Sequence, residues 1–458
     1  MKNSLSLFLF SYLLKIPFLN LGYGPEEDSW GHVQNIWEMK EAGHYIMSRL
    51  PGHPVYEALL YLLWSFHSPL IYNSISAIAA GLAVVAFYKL AKHYNIAHAY
   101  YISAAFMFVP TFFLSGTYTI DYTLGLALSL WAFYAVLKNK VLLAALLLAM
   151  ATGTRITWIL MLFPMLAALN GYRPDKFKFK ESLVLLFTFA MFTALAYSIV
   201  YNTYGIYFFS TYSLPYPPLA KAIYKGTFGV WGLLGTIALF GLSIFFVIRF
   251  KFYLKQLRWR HIVWLMPIVM YSLIYLRLPE KSAFFIPVIP FLLLLIFSLA
   301  SEKVSKWSAV IMGLSLIFLG INISDPLRGS SAKAHDLKKT ISGQEIFLSF
   351  ERGLYFLELS KRENKIKATD RFQNALRKIE KPTVVICGWW YAMIDITVKD
   401  NNLDWPENVK IHYFLSDEEI LEYQENGYEL LYLPEQEIVN NRKNNSTLTT
   451  ELGELLAP

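Results

Sequence analysis

The sequence contains almost no cysteine. Cys387 is the single cysteine among 458 residues, which excludes an intrachain disulfide framework and a cysteine-cluster metal site. Charged residues are also scarce at 16%, whereas soluble domains carry about 25%. Hydrophobic residues reach 55%, which excludes a disordered chain. This composition indicates a membrane protein and argues against a purely soluble one.

Acidic residues are unevenly distributed along the chain. Residues 1–324 contain 24 Lys and Arg but only 11 Asp and Glu, whereas residues 325–458 contain 17 and 22. The last long apolar run ends near Ser324, so we predict a transmembrane domain over 1–324 and a soluble α/β domain over 325–458. The net charge of +8 resides mainly in loops between apolar segments. No RNA or DNA motif is present, so nucleic acid is not a predicted partner.

Long apolar segments dominate the first part of the chain. A membrane helix needs about 20 mostly apolar residues, and we predict about eleven transmembrane helices at 4–21, 69–90, 98–116, 120–137, 141–152, 155–169, 182–204, 227–248, 262–276, 283–300 and 307–323. A further apolar stretch, 54–67, is bracketed by Pro54 and Pro69. It is predicted to be interfacial or re-entrant. The predicted fold class is therefore a polytopic α-helical membrane protein.

The basic residues of the loops predict an orientation. With the N-terminus in the cytoplasm, cytoplasmic loops carry 16 Lys and Arg and outer loops carry 7, as the positive-inside rule requires. The segment 4–21 is then an uncleaved anchor in a cell (inner) membrane. Residues 22–68 form the long first outer loop, and the C-terminal α/β domain is extracytoplasmic.

The first outer loop contains the most unusual polar residues. Glu26, Glu27 and Asp28 precede a stretch with helical periodicity at 29–42, predicted to be an interfacial helix that Gly43 ends. These acids either cap the helix or have a functional role, as cation ligands or as a general base. Arg49 and His53 follow in a proline-rich turn. They could bind a phosphate, although a purely structural role for His53 is equally consistent with the sequence.

Further charged residues are predicted on the same outer face. Asp121 starts a predicted span, where it acts either as a helix cap or in the site. Arg155 lies in the turn between two short apolar segments, where a guanidinium needs a phosphate, a carboxylate or lipid headgroups. Arg277, Glu280 and Lys281 form another charged turn. Ionisable residues beside hydrocarbon are functional candidates.

The order of these motifs resembles the GT-C superfamily of membrane glycosyltransferases. It is similar to the branch that contains the bacterial lipid A aminoarabinose transferases and the protein O-mannosyltransferases. The matching elements are Asp28, Gly43, Arg49-Leu50-Pro51-Gly52-His53-Pro54, Ile120-Asp121, Thr152-Gly153-Thr154-Arg155 and the segment from Glu280 to Pro290. Three positions depart from the pattern: Ser29 stands in place of Glu, Arg155 in place of Lys, and Phe284-Phe285 in place of Tyr.

The resemblance implies an activity and a partner. A sugar would be transferred from a polyprenyl-phosphate-linked donor to a lipid, glycan or protein acceptor beside membrane lipids, with inversion at the anomeric carbon. Asp28 is the predicted catalytic residue. The predicted substrate-binding residues are Glu27, Arg49, His53, Asp121, Arg155, Arg277, Glu280 and Lys281. Asp28 and Asp121 are also the predicted ligands of a divalent cation, Mg or Mn, should the reaction use one.

Two other function classes are compatible with a polytopic membrane protein. One is a transporter or flippase of a lipid-linked saccharide, and the other is a non-catalytic membrane scaffold. Transporters usually place polar groups near the middle of the membrane and often contain internal repeats. Here the candidate site residues lie at the outer face, Lys15 is a charged residue within a predicted span, and no repeat is evident. This pattern favours the enzyme.

The C-terminal part has the pattern of an α/β unit. Strands are predicted at 383–388, 409–414 and 429–433, with a helix from a capping box at Ser416 to Gln424. Alternating strands and helices predict a small, mainly parallel sheet. The segment 345–378 is predicted to be helical. Trp389-Trp390-Tyr391 either packs against the rest of the protein or stacks on a sugar. Overlapping glycosylation sequons occur at 444–447.

Overall fold

The structure, a computed structural model, describes residues 2–171, 177–209, 216–248, 255, 257–324, 335–341, 344–401, 403 and 406–433. The sequons at 444–447 and parts of the predicted basic loops lie outside these residues. The described chain is mainly helical, with small sheets in its C-terminal part. This confirms the helical fold class in its coarse form.

The helices of the first part follow the predicted apolar segments closely. They are α1 Lys2–Leu13, α2 Ile16–Leu19, α3 Glu27–Ala42, α4 Pro54–Leu62, α5 Pro69–His93, α6 Ala99–Met107, α7 Pro110–Ser115, α8 Tyr122–Leu137, α9 Val141–Thr154, α10 Leu162–Leu169, α11 Phe179–Tyr204, α12 Leu219–Gly226, α13 Phe228–Ile248, α14 Trp259–Arg277, α15 Val288–Leu299 and α16 Glu302–Ile317. The helix α12 was not predicted from the sequence.

Four helical segments of the described chain are long and apolar enough to cross a membrane. They are Pro69–His93, Phe179–Tyr207, Phe228–Ile248 and Trp259–Arg277. Four shorter apolar helical segments, of 10 to 17 residues, are Tyr122–Leu137, Val141–Thr154, Ile156–Leu169 and Val288–Leu299. These helices support a membrane protein. The count of about eleven spans remains a prediction.

Several predicted spans are interrupted in the structure. The predicted span 4–21 is divided at Lys15, whose buried ammonium donates to the carbonyl of Ser11 at 2.8 Å. Pro110 begins α7 and divides the predicted span 98–116, since proline cannot continue the hydrogen bonding of a helix. The prediction for 307–323 is wrong at its end. There α16 stops at Ile317, and Gly320–Ser324 form the strand β1.

Residues 22–68, the predicted first outer loop, contain two α-helices, α3 and α4, as predicted. Gly43 adopts a left-handed conformation, φ 70°, directly after α3, which is a common end of a helix. The nine residues of α4 span about 14 Å, too short to cross a membrane. The buried face of α3 includes Trp30, Val33 and Ile36, which pack in one apolar cluster with residues of α4 and of the C-terminal part.

The C-terminal part begins with an antiparallel sheet. Its strands are β1 Gly320–Ser324, β2 Leu337–Ile341 and β3 Gln344–Ser349, in the order β1-β3-β2. The predicted helix over 345–378 is therefore wrong at its start, because 345–349 pair with strands on both sides. The helix itself is α17, Leu354–Leu376.

A second sheet is parallel, as the sequence predicts. It consists of β4 Thr383–Ile386, β5 Val409–His412 and β6 Glu429–Tyr432, with β4 in the centre. The helices α18 Tyr391–Asp400 and α19 Asp417–Glu425 accompany it. The predicted capping box is confirmed, since Ser416 and Glu419 exchange hydrogen bonds at the start of α19.

Contacts attach the C-terminal part to the segments between α2 and α3 and between α7 and α8. The side chain of Arg362 is 1% exposed and donates to the carbonyls of Leu21, Gly22 and Thr117, each at 3.0 Å. The Tyr23 hydroxyl donates to Asp400 at 2.7 Å. These contacts place α18 beside α3, the helix that carries Asp28.

Candidate functional site

Six charged side chains from distant parts of the sequence form one network at the start of α3. We call this network the charged cluster; its members are Glu26, Asp28, Arg49, Asp121, Arg155 and Lys281. They come from the segment 26–49, the beginning of α8, the end of α9 and the turn after α14. The cluster contains three carboxylates and three cations, so its formal charge is balanced.

Asp28 is held by two cations rather than by the helix backbone. Its carboxylate contacts both Arg49 and Lys281, and Lys281 also binds Glu26 at 2.8 Å. The residue before α3, Glu26, makes no side-chain capping bond. Burial raises the pKa of Asp28, but Arg49 and Lys281 outweigh burial and lower that pKa below its usual range. Asp28 is therefore a carboxylate at neutral pH.

Asp121 lies deeper, with its side chain 0% exposed. The Arg155 guanidinium donates two hydrogen bonds to the Asp121 carboxylate, from Nε at 2.7 Å and from Nη2 at 3.0 Å. Such bidentate arginine–carboxylate pairs are strong. Asp121 makes no side-chain capping bond to α8. Arg155 also lies 4.3 Å from the centre of the Tyr122 ring. The ion pair, rather than helix capping, therefore accounts for this buried acid.

Arg49 joins the two halves of the cluster. Besides Asp28, its guanidinium lies 3.7 Å from Asp121 and donates to His53 at 3.0 Å. One of its terminal nitrogens, Nη2, is buried and makes no hydrogen bond to the described part of the chain. Nη2 is the nitrogen that lies 3.7 Å from Oδ1 of Asp121, so it faces a carboxylate at a distance too long for a hydrogen bond.

His53 is buried and positions Arg49. Its Nδ1 lies 2.6 Å from the carbonyl of Thr154, and its Nε2 receives the bond from Arg49. This arrangement requires a neutral imidazole with the proton on Nδ1. Burial lowers the pKa of His53, and Arg49 and Arg155 lower it further against the opposing effect of Asp121. His53 therefore contributes a hydrogen-bond acceptor and no charge.

Besides His53, which contacts Arg49 of the charged cluster, three predicted site residues are not members of that cluster. Glu280 binds Lys221 at 2.6 Å, although its neighbour Lys281 belongs to the cluster. Arg277 is exposed at the end of α14. Glu27 lines a separate cavity beside α18. The structure thus brings Asp28, Arg49, His53, Asp121, Arg155 and Lys281 together. Glu280 pairs with Lys221 instead, Arg277 is exposed, and Glu27 lines the separate cavity.

Some residues beside the cluster were not predicted from the sequence. His32 follows Asp28 by one helical turn and lies in edge contact with His53, at 5.4 Å between ring centres. Glu57 is buried in α4 and accepts hydrogen bonds from Ser48 N–H at 2.9 Å and from the Tyr45 hydroxyl at 2.5 Å. It thereby fixes the turn that carries Arg49. The sequence signal for this role of Glu57 was a glutamate within an otherwise apolar helix.

The carboxylates of the cluster do not form a ready-made metal site. Among the residues that the structure describes, no group of three His, Cys, Asp or Glu side chains is arranged around a common point. Asp28 and Asp121 each contact cations instead. We therefore derive no step through a metal, and the need for Mg or Mn remains a prediction.

Comparisons with known proteins give no assignment. No protein-family model matches the chain, and no curated protein shows significant similarity to it.

Proposed function

We propose that this protein is a membrane glycosyltransferase. It would transfer a sugar from a polyprenyl-phosphate-linked donor to an acceptor hydroxyl on the extracytoplasmic face, with inversion at the anomeric carbon. The observation that carries the proposal is the charged cluster, in which Asp28 faces Arg49 and Lys281 in the first outer loop. The resemblance of the outer-face motifs to GT-C enzymes supports the same function.

The cations of the cluster suit a lipid phosphate. Arg49, Arg155 and Lys281 lie at predicted outer ends of membrane segments, where the phosphate of a polyprenyl donor would sit while its tail stays in the bilayer. The side chains of Arg49, Arg155 and Lys281 are each partly exposed. Arginine is well suited to bind phosphate with two N–H groups.

Binding of the donor would also change the state of Asp28. A phosphate that binds Arg49 and Lys281 competes with the carboxylate for the same cations, so the pKa of Asp28 rises toward its ordinary value. The carboxylate is then able to accept the proton of the acceptor hydroxyl. The hydroxyl oxygen attacks the anomeric carbon, and the bond from that carbon to the phosphate oxygen breaks. The departing electron pair remains on the phosphate, which Arg49, Arg155 and Lys281 neutralise.

The experiment measures sugar transfer from a polyprenyl-phosphate donor by the full-length protein in reconstituted membranes. Asp28→Asn keeps the size of the side chain but removes its negative charge and its basicity. Transfer should fall by about 100-fold or more. The matched control is Glu41→Gln, an exposed acid on the same helix, which should leave transfer unchanged. Normal transfer by a well-expressed Asp28→Asn variant would disprove the assignment.

A further inference from the structure

The antiparallel sheet β1-β3-β2 packs on the helices with one of its two faces. Phe347 of β3 is 0% exposed and packs in an apolar cluster with residues of α2, α7, α16 and α17. Side chains alternate between the faces of a strand, so Ile346 and Leu348 lie on the opposite face. The register places the residues opposite them, and alternate residues along β2, on that face as well. We call it the outer sheet face; its members are Ile321, Ile323, Leu337, Lys339, Ile341, Ile346 and Leu348.

The outer sheet face is mainly aliphatic and partly open. Leu337 is 61% exposed and Ile341 is 42% exposed, and the members in β1 and β3 are partly exposed. All residues of the edge strand β2 are exposed. Contiguous exposed apolar side chains mark contacts with another protein or with a membrane. The position of the sheet in the molecule distinguishes between these two partners.

The sheet lies at one end of a helix that is long and apolar enough to cross a membrane. That helix is α13. The hydroxyl of Tyr224, which precedes α13 in the short helix α12, donates to the carbonyl of Ile321 at 3.2 Å. In the last turn of α16, the Ser315 hydroxyl donates to the carbonyl of Trp231 at 2.8 Å. Because the first turns of a membrane-crossing helix lie at a membrane surface, these contacts place β1 beside that surface.

The short helix α12 exposes apolar side chains at the same level. Leu219 is 72% exposed and Ile223 is 54% exposed, and residues four apart lie on one side of a helix. The other side of α12 carries the buried Tyr224 and also Lys221, which binds Glu280 at 2.6 Å. Two elements from distant parts of the sequence thus expose aliphatic side chains beside the start of α13. A lipid surface is broad enough to cover both.

Basic residues accompany the outer sheet face. Lys339 lies among its aliphatic side chains, Lys338 precedes it in β2, and both lysines are exposed. A lysine can lay its aliphatic stem along an apolar surface while its ammonium group stays at the polar boundary. Aliphatic side chains together with lysines are typical of elements that lie in a membrane interface, where the lysines attract anionic lipids.

We propose that the outer sheet face and the exposed side of α12 lie in the interfacial layer of the membrane. Their partner is lipid, namely the headgroups and the adjoining part of the acyl chains. The inner face of the same sheet packs on α17, the helix that carries Arg362. The lipid contact therefore holds the C-terminal part at the membrane surface. This proposal does not require that the protein transfers a sugar.

The test measures the membrane depth of single nitroxide labels on the full-length protein in nanodiscs of phosphatidylcholine and phosphatidylglycerol. Leu337→Cys and Ile341→Cys carry the label on the outer sheet face. The matched controls are Lys338→Cys and Thr340→Cys, exposed positions of the same strand whose side chains point to the other face. Cys387 is buried, so the label should attach to the introduced cysteines.

Collisions of each label with oxygen, which concentrates in lipid, are compared with collisions with a water-soluble nickel chelate. Labels at 337 and 341 should collide mainly with oxygen, at depths of about 5–10 Å below the headgroup level. Labels at 338 and 340 should collide mainly with the nickel chelate. Ile223→Cys reads α12 independently and should also report lipid; contact with water there would exclude α12 from the lipid contact.

Any of three results would overturn the assignment of the sheet. Frequent nickel collisions at 337 and 341 would show that the outer sheet face lies in water. Rare collisions with both reagents would show that protein covers it, either another segment of this chain or a second copy. Equal ratios of oxygen to nickel collisions at 337, 338, 340 and 341 would contradict a lipid contact made by one face only. These readings are independent of transfer activity, so the proposed function stands or falls separately.

Discussion

Asp121 and Arg155 are the most deeply buried ion pair of the charged cluster. The two residues are 34 positions apart in sequence, and only the fold brings them together. Burying charges is costly unless they are paired, so each residue depends on the other. The sequence predicted that both lie on the outer face. It could not predict that they bind one another, because a helix cap and a functional role were both consistent with Asp121.

Removing one partner of this pair should destabilise the protein strongly. Arg155→Met leaves the Asp121 carboxylate buried without its bidentate partner, which costs about 3–5 kcal/mol. Thermal unfolding in detergent measures the loss. The double variant Asp121→Asn with Arg155→Met should recover much of it, since no charge then remains unpaired. Equal stability of the single and double variants would contradict the pairing.

Asp400 should make the stability depend on pH. Burial raises its pKa from the ordinary 3.8 to about 6, against hydrogen bonds that lower it, including that from Tyr23. Because the folded state binds this proton more tightly, Asp400 reduces stability above pH 6, and the loss is relieved as the pH falls toward 3.8. Asp400→Asn keeps an acceptor for Tyr23 without the charge.

Unfolding of this variant and of the wild type is therefore compared across that pH range. Asp400→Asn should be more stable by about 1–2 kcal/mol above pH 6, and the difference should vanish below pH 4. A constant difference at all pH values would show that Asp400 does not titrate in this way.

Among the helices and strands, the sequence predictions were most accurate where a start or an end depends on residues that are close in sequence. Gly43 ended α3 and the Ser416 capping box began α19 as expected, because both signals depend on nearby residues. The strands β4, β5 and β6 were also evident as short apolar runs. The strand β1 lies at the end of an apolar segment that predicts a membrane span, and β3 lies in a segment that predicts a helix. Both are defined by pairing with each other, which is a long-range contact.

The left-handed residue after α3 gives a prediction for this element. Gly43→Ala places a Cβ in a conformation that costs an L-residue roughly 1–2 kcal/mol, although the space around it is open. The midpoint of thermal unfolding should fall accordingly. Gly43→Asn should lose less, since asparagine tolerates this conformation better. Equal losses of stability in Gly43→Ala and Gly43→Asn would show that the left-handed backbone conformation is not the cause of the loss.

At the scale of the whole molecule, the orientation in the membrane remains a prediction. It rests on the excess of basic residues in the loops assigned to the cytoplasm. Cys387 is fully buried, so new surface cysteines can be labelled against a low background.

Lys140→Cys, in the turn before α9, should react with a membrane-impermeant maleimide only after the cells are opened. Glu418→Cys, exposed on α19, should react in cells whose outer envelope layers have been removed while the cell membrane remains intact. Lys92→Cys, exposed near the end of α5, serves as a second position predicted to be cytoplasmic. The reverse pattern would place the charged cluster on the opposite face and refute an extracytoplasmic reaction.

Arg362 limits how the C-terminal part of this protein can be separated from the rest of the chain. Its guanidinium donates to three peptide carbonyls in two separate segments, one before α3 and one before α8. Cutting the chain after residue 324 would strip those carbonyls of their partners and expose the apolar side of α3. The C-terminal part therefore stabilises the segments before α3 and α8, which lie beside Asp28 and Asp121. Transferring this part to another protein would require transferring both segments with it.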